Sequence, residues 1–427
     1  MRRRALLASL AGGVATGAAG CSSNGGSCGT PPATVDRPNA GWPLVGNVPT
    51  NTGHAPVGPG PSDEQWATDR EVRDREYLFG YFSTPLVGDG RVYTAMRDSL
   101  YWSESMADPG HVVAYDDEDG TEAWRVELPR LAGGSPALAD DRMFVGDTSG
   151  TLHSVSTDGD RLWTHDLGSP VRGCTVAGDH CYVVDDSATL HAFTLGGERC
   201  LYRDRSGALD GLLGGTSFQV DSAPAVDSSG VYASVLADPE GSRRARLLAY
   251  EHDGTQRWSY GFPISRGIPN TPAVVDDLVL VTAGGEIHAV EAATGERRWR
   301  FVTGSDTTGA PASDGERAYV GAKNLYALSL ADGHEQWRVV NEAVDGSFGY
   351  EHGVPFIARP AVTDDAVYLR AGAFDPTDGS RLWGDLGRPE SEDAATAVFG
   401  QRPLVSPAVT ADALYLAHQQ RGVLKLA

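Results

Sequence analysis

Lysine is nearly missing from this chain. Only Lys323 and Lys425 occur among 35 basic residues, against 57 acidic ones, and the formal charge is −22 with a pI near 4.8. A field of that sign repels phosphate backbones and excludes nucleic acid as a partner. An acidic, lysine-poor surface suits strong charge screening, so the composition points to a halophilic source. Cysteine is also scarce. The five cysteines include no adjacent pair and no Cys-x-x-Cys-His, which excludes a haem attachment site. Gly-x-Ser-x-Gly, His-Glu-x-x-His and phosphate-loop signatures are absent, which removes the common hydrolase and nucleotide-binding readings. The acidic runs Asp116-Asp117-Glu118-Asp119 and Asp140-Asp141 lack the spacing of an EF-hand loop and read as solvated turns.

What the chain does contain is repetition. Ser135 to Trp163 holds four short apolar runs separated by turns, and near-copies follow. Each copy opens on Pro-Ala or a relative: Thr84-Pro85, Ser135-Pro136, Gly173-Cys174, Ala223-Pro224, Thr271-Pro272, Ala310-Pro311, Arg359-Pro360 and Ser406-Pro407. Each closes on a turn glycine with a tryptophan four residues later, at Gly120/Trp124, Gly159/Trp163, Gly254/Trp258, Gly295/Trp299, Gly333/Trp337 and Gly379/Trp383. After Gly197, Cys200-Leu201 replace the tryptophan. A period of roughly 40 residues signals a solenoid, propeller or array. Runs such as Val92-Tyr93-Thr94 and Val367-Tyr368-Leu369 are β-branched and aromatic between turn residues, so they read as strands. No copy carries an apolar stripe of helical period. Four antiparallel strands per period make a propeller blade. The repeated tryptophan supplies a large apolar face that packs one blade on the next.

The last copy stops one strand short, after Val423-Leu424-Lys425-Leu426, while Glu64-Gln65-Trp66 matches Glu122-Ala123-Trp124. The N-terminal strand is therefore expected to complete the last blade and remove the free sheet edges. The fold expected over residues 62–427 is all-β: an eight-bladed propeller closed by its N-terminus.

Asn324-Leu325-Tyr326-Ala327-Leu328 through Gly333 and Trp337 resembles the PQQ-like β-propeller repeat. The resemblance covers nearly everything from residue 62 onward. It implies the propeller of quinoprotein dehydrogenases and of BamB-like lipoproteins that serve outer-membrane barrel assembly. Quinoproteins of this kind hold PQQ and calcium on the axis, with an adjacent-cysteine ring and acidic ligands. This chain has no such cysteine pair, and Asp221, Glu351 and His352 sit in no matching motif. One fold hosts many functions.

Residues 1–21 read as an export signal. Arg2-Arg3-Arg4 precedes a weakly apolar run, and Ala18-Ala19-Gly20-Cys21 resembles a lipobox, so Cys21 is the expected lipidation site. The mature chain is then expected on the outer face of the cytoplasmic membrane. Residues 22–61 form a Gly/Ser tether and a Pro-rich lead-in, expected to cross the outside of the ring with Trp42 as an anchor. Cys174 and Cys181 flank one hairpin and admit a disulfide. His153, His191 and His288 share one strand position, where Tyr326 stands in the closest copy, and are expected to pack.

Insertions break several repeats, and those joining an outer strand to the next inner strand share one face. Tyr101, Trp102, Arg172, Arg266, Tyr350, Glu351, His352 and Arg359 are the candidate contacts on that face, chosen because aromatics and arginine dominate binding hot spots. Trp66, Trp124, Trp163, Trp258, Trp299, Trp337 and Trp383 are structural. The expected function is a monomeric, non-catalytic scaffold for other extracytoplasmic or membrane proteins, with neither cofactor nor metal. A dehydrogenase using PQQ and calcium is the alternative.

Overall fold

The computed structural model describes residues 41–44, 46–60, 63–68, 79–99, 109–130, 134, 136–139, 141–203, 217–220, 222–238, 243–264, 267–340, 358–369, 372–384, 405–418 and 422–427. These form eight antiparallel sheets, which are the eight blades of a propeller. The innermost strands are Leu86–Gly88, Ala137–Ala139, Val171–Ala177, Ala225–Asp227, Ala273–Val275, Ala312–Ser313, Ala361–Val362 and Ala408–Val409. Glu64–Ala67 pairs antiparallel with Gly422–Leu426, so the N-terminal strand is the outer strand of blade 8. The seam between blades 8 and 1 is held through Asp117. Its carboxylate accepts from Tyr415 Oη at 2.7 Å and from Lys425 Nζ at 2.9 Å. Its carbonyl accepts from Trp66 Nε1 at 3.0 Å. One of the two lysines is thus used to close the ring.

The same contact repeats around the disc. Trp124, Trp163, Trp258, Trp299 and Trp337 donate their indole N–H to Thr157, Leu195, Ala292, Leu330 and Pro376 carbonyls of the following blade, at 2.7–3.0 Å. Each ring lies flat on the next blade's turn glycine. A Cβ on Gly295 would fall 2.7 Å from Trp258, and one on Gly333 would fall 2.6 Å from Trp299. Those glycines have φ near +75°, which other residues rarely adopt, so two demands select glycine there. Blade 3 departs from the rule. Leu201 and Arg203 cover Gly254, and Cys200 is disulfide-bonded rather than a free buried thiol. Within blades, the repeat tryptophans other than Trp299 also meet an aromatic from the second strand, such as Tyr319 against Trp337 with centroids 5.8 Å apart.

The lead-in does not cross the outside of the ring. It winds through the central channel and bonds to six innermost strands. The N–H groups of Val87, Leu138, Val226, Val274, Ser313 and Val362 donate to the carbonyls of Trp42, Pro43, Pro49, Thr50, Thr52 and Gly53. Trp42 is completely buried. The physical reason is that innermost strands are edges, and their inward-facing N–H groups need acceptors once the channel excludes water. A Pro- and Gly-rich segment forms no sheet of its own and can offer its carbonyls to successive blades.

Candidate binding face and axial channel

Every innermost strand begins at the face that carries the outer-to-inner insertions and runs to a tight turn at the opposite face. The lead-in bonds near that turn end, so it closes the channel from there. At the insertion-bearing end, among the described residues, blades 1 and 4 each carry an added strand. Phe79–Phe82 pairs with Met96–Ser99 above the inner strand of blade 1. Ser217–Gln219 pairs with Leu236–Asp238 in the same place on blade 4. Both second strands run nine residues to support these additions.

Of the expected contact residues, Tyr101, Trp102, Arg266, Tyr350, Glu351 and His352, like Cys21, lie outside the described residues. Arg172 is on the insertion-bearing face and already engaged: its Nε lies 3.2 Å from Asp186 Oδ2. Arg359 is not on the surface at all. It is 2% exposed, on the channel axis, because its side chain enters the channel from the start of the inner strand of blade 7. A Cβ on Gly46 would fall 2.5 Å from its Nη1, and one on Gly53 3.3 Å from its Cδ, so the guanidinium rests on the lead-in backbone. Its one hydrogen bond runs from Nη2 to Thr271 O at 3.3 Å. Desolvation pushes its pKa down to about 9.

Cys174 and Cys181 are free thiols, not a disulfide. The register pairs Cys174 with Val183 and Cys181 with Val176, so the two are diagonal neighbours at the limit of bridging geometry. Burial and the adjacent Cys174 push the Cys181 thiol well above its usual range, which suppresses the thiolate that oxidation requires.

The turns between second and third strands open on this same face and carry a polar arrangement the repeat pattern did not flag. In blade 2, Asp147 Oδ1 accepts from the Ser149 N–H and hydroxyl and from the Thr151 N–H, while Oδ2 lies 2.8 Å from His153 Nε2. Blade 3 repeats it with Asp185, Ser187, Thr189 and His191, the last pair at 2.9 Å. The signal was present as Asp-x-Ser-x-Thr-Leu-His in both copies. These histidines are buried and their aspartates fully bonded, so the units cap turns and offer no free base. Burial raises the Asp147 carboxyl, but bonds from His153, Ser149 and Thr151 outweigh it and hold the group below the ordinary range.

His288 in blade 5 gives a measurable acid sensitivity. Its Nδ1 faces Tyr260 Oη at 2.7 Å, its Nε2 faces Glu286 Oε2 at 2.8 Å, and Phe262 stacks on the ring. Burial, with a smaller push from Arg297 and Arg300, outweighs the Glu286 carboxylate and brings its pKa down to about 4. An unfolded histidine titrates near about 6.5. Stability is therefore full above that value and falls as pH drops from about 6.5 towards 4, by about 3 kcal/mol for this site. The urea midpoint should fall over that window and fall less steeply in His288→Gln. Parallel slopes in the two proteins would count against the assignment.

The family resemblance raises PQQ and calcium, and calcium needs several oxygen ligands converging on one point of the axis. Among the described residues no three His, Cys, Asp or Glu side chains converge to hold a cation. Among the described residues, Thr84, Ala223 and Thr271 at the repeat starts are small or hydroxylated, and Arg359 there brings a cation. The described residues do not fit a calcium–quinone pair.

Comparison with known proteins agrees with this architecture. The chain is 31% identical over 143 residues to the serine/threonine-protein kinase AfsK of Streptomyces coelicolor, matching 16% of that protein and 32% of this one. It is 30% identical over 165 residues to the quinohemoprotein alcohol dehydrogenase of Comamonas testosteroni, matching 23% of that enzyme and 32% of this chain. The crystal structure of the Comamonas enzyme superposes with a TM-score of 0.62 at 12% identity, covering 91% of this chain and 80% of that one. That of BamB from Moraxella catarrhalis superposes with a TM-score of 0.52 at 18% identity, covering 84% and 96%. These structural likenesses speak for the fold. The model of the family described as outer membrane protein assembly factor BamB matches residues 108–235 and 243–426. With most of the ring inside that match, this chain belongs to the BamB-type family of PQQ-repeat propellers.

Proposed function

We propose that this protein is a non-catalytic scaffold, exported and held to the membrane by lipid on Cys21, that binds other extracytoplasmic or membrane proteins through its insertion-bearing face. The observation that carries the proposal is the added strand on each of blades 1 and 4. The added strands of blades 1 and 4 raise two walls on that face, while the opposite face ends in tight turns and the emerging lead-in. A raised, irregular face on a rigid ring is a docking surface. A lipid at Cys21 together with the flexible tether would leave the disc free to orient, and stable anchoring takes more than one acyl chain. The acidic surface fits work in high salt, and in an organism without an outer membrane the partner would belong to another envelope assembly.

Photo-crosslinking in intact cells tests the face. A crosslinking side chain at Tyr101 or Tyr350 should capture a discrete partner, and one at Asp364, on the tight-turn face, should not. Capture from both faces alike, or from neither, would sink the docking proposal. Cys21→Ala should release the protein from the membrane fraction; retention there would remove the lipid anchor.

The second reading is a PQQ-dependent dehydrogenase, which the match to the Comamonas enzyme favours. A ligand that binds only the folded state raises its melting midpoint. A clear rise on adding PQQ with calcium would overturn the scaffold reading.

A further inference from the structure

We propose that Arg359 is the centre of an axial carboxylate-binding site on this propeller. At the first residue of the eight repeat starts stand Thr84, Ser135, Gly173, Ala223, Thr271, Ala310 and Ser406, all small, and Arg359. That one long cation is buried between the lead-in at Gly46 and Gly53 and the Thr271 carbonyl of blade 5. The lead-in is shaped around it. A Cβ on Gly46 would strike the arginine's Nη1 and one on Gly53 would crowd its Cδ, and the Gly53 N–H donates to the Gly46 carbonyl to close the loop that forms the seat.

That seat supplies no anion. Nε and Nη1 of Arg359 are buried without an acceptor, and the guanidinium has a single carbonyl at 3.3 Å from Nη2. The contrast with other arginines is sharp. Arg142, Arg172, Arg257 and Arg317 keep 16–20% of their side chains exposed, yet each faces a carboxylate at 2.7–3.6 Å. Arg359 is more deeply buried than any of them and faces none among the described residues. Leaving a buried charge unpaired is among the more costly arrangements a fold can carry. Arginine does not escape by losing its proton at neutral pH.

A monoanionic carboxylate resolves this. It cancels one charge with one, and it accepts from an idle guanidinium nitrogen, alone or together with the neighbouring Nη2. A phosphate would bring a second charge to a site with one cation, in a chain already at −22. The carboxylate can come from a small free acid or from an acidic side chain of a docked protein, since the chemistry is shared. The inference stands whether or not the raised face takes a protein partner.

The test is thermal unfolding of the full chain, wild type beside Arg359→Met and Arg359→Lys, with sodium chloride replaced stepwise by sodium acetate at constant ionic strength. In chloride, Arg359→Met should melt at or above wild type, because an unpaired buried charge has been removed. Acetate should raise the wild-type midpoint in a saturable way, with no matching rise in Arg359→Met, and Arg359→Lys should respond with at least tenfold weaker apparent affinity. A soluble peptide ending in glutamate, added at the same carboxylate concentration, separates the two sources: an equal response marks an open site, and a response to acetate alone marks one that takes small acids. Parallel responses in wild type and Arg359→Met would reduce the effect to a general solute action and overturn the site. So would an Arg359→Met midpoint far below wild type at every acetate concentration, which would make the guanidinium a pin for the lead-in. So would a wild-type-specific response to phosphate without one to acetate.

Discussion

Deleting residues 41–60 while keeping the strand Glu64–Ala67 should abolish cooperative unfolding of the ring. The segment accepts hydrogen bonds from six inward-facing N–H groups, one on each of six innermost strands. At about 1 kcal/mol net apiece these amount to about 6 kcal/mol, comparable with the whole stability of many domains. Trp42 adds a fully buried indole to that sum. Trp42→Ala alone should cost about 3–5 kcal/mol. Trp42→Phe should be much milder, because the Trp42 indole N–H is buried without an acceptor and its loss forfeits nothing. Circular-dichroism melts of the three variants check this. A deletion variant melting with an unchanged midpoint and steepness would mean that the ring holds itself together without its lead-in.

The second large effect is a coupling between blades. Trp299→Ala should destabilise by about 3–5 kcal/mol, since the ring is 6% exposed and donates to Leu330 O at 2.7 Å. Gly333→Ala should cost a similar amount, because its Cβ would meet the Trp299 ring at 2.6 Å and its φ is +73°. The double variant is where the argument is decided. Once the indole is gone the added methyl loses its three nearest clashes, and a backbone penalty of about 1 kcal/mol remains. The two costs should therefore be strongly non-additive, by about 2 kcal/mol or more. Denaturant midpoints for the four proteins of the cycle measure it. Simple additivity would mean the tryptophans fill space independently of the neighbouring glycine.

The repeat was legible because its physics is local. A turn glycine with positive φ, a tryptophan at fixed distance and alternating apolar runs recur at Gly120/Trp124 through Gly379/Trp383, and each is set by contacts within one or two blades. The number of blades and the closure by Glu64–Ala67 followed from counting starts against ends. The buried Asp–His turns were spelled out in the letters too, as Asp147 to His153 and Asp185 to His191, but a strand position filled by Tyr326 in another copy masked their chemistry.

The sequence by itself determined an all-β ring of eight blades and an acidic surface, because strand period, turn chemistry and net charge are sums over near neighbours. Only the tertiary structure decided what lies on the axis. Whether Pro- and Gly-rich residues 41–60 run outside or inside the ring depends on unpaired N–H groups from blades far apart in the chain, which meet only when the ring closes. Whether Arg359 meets water or the channel depends on the same closure, since the lead-in at Gly46 and Gly53 and the Thr271 carbonyl of blade 5 surround its side chain. The diagonal placement of Cys174 and Cys181 was readable from the hairpin register, but their state as buried free thiols follows from packing against blade 2.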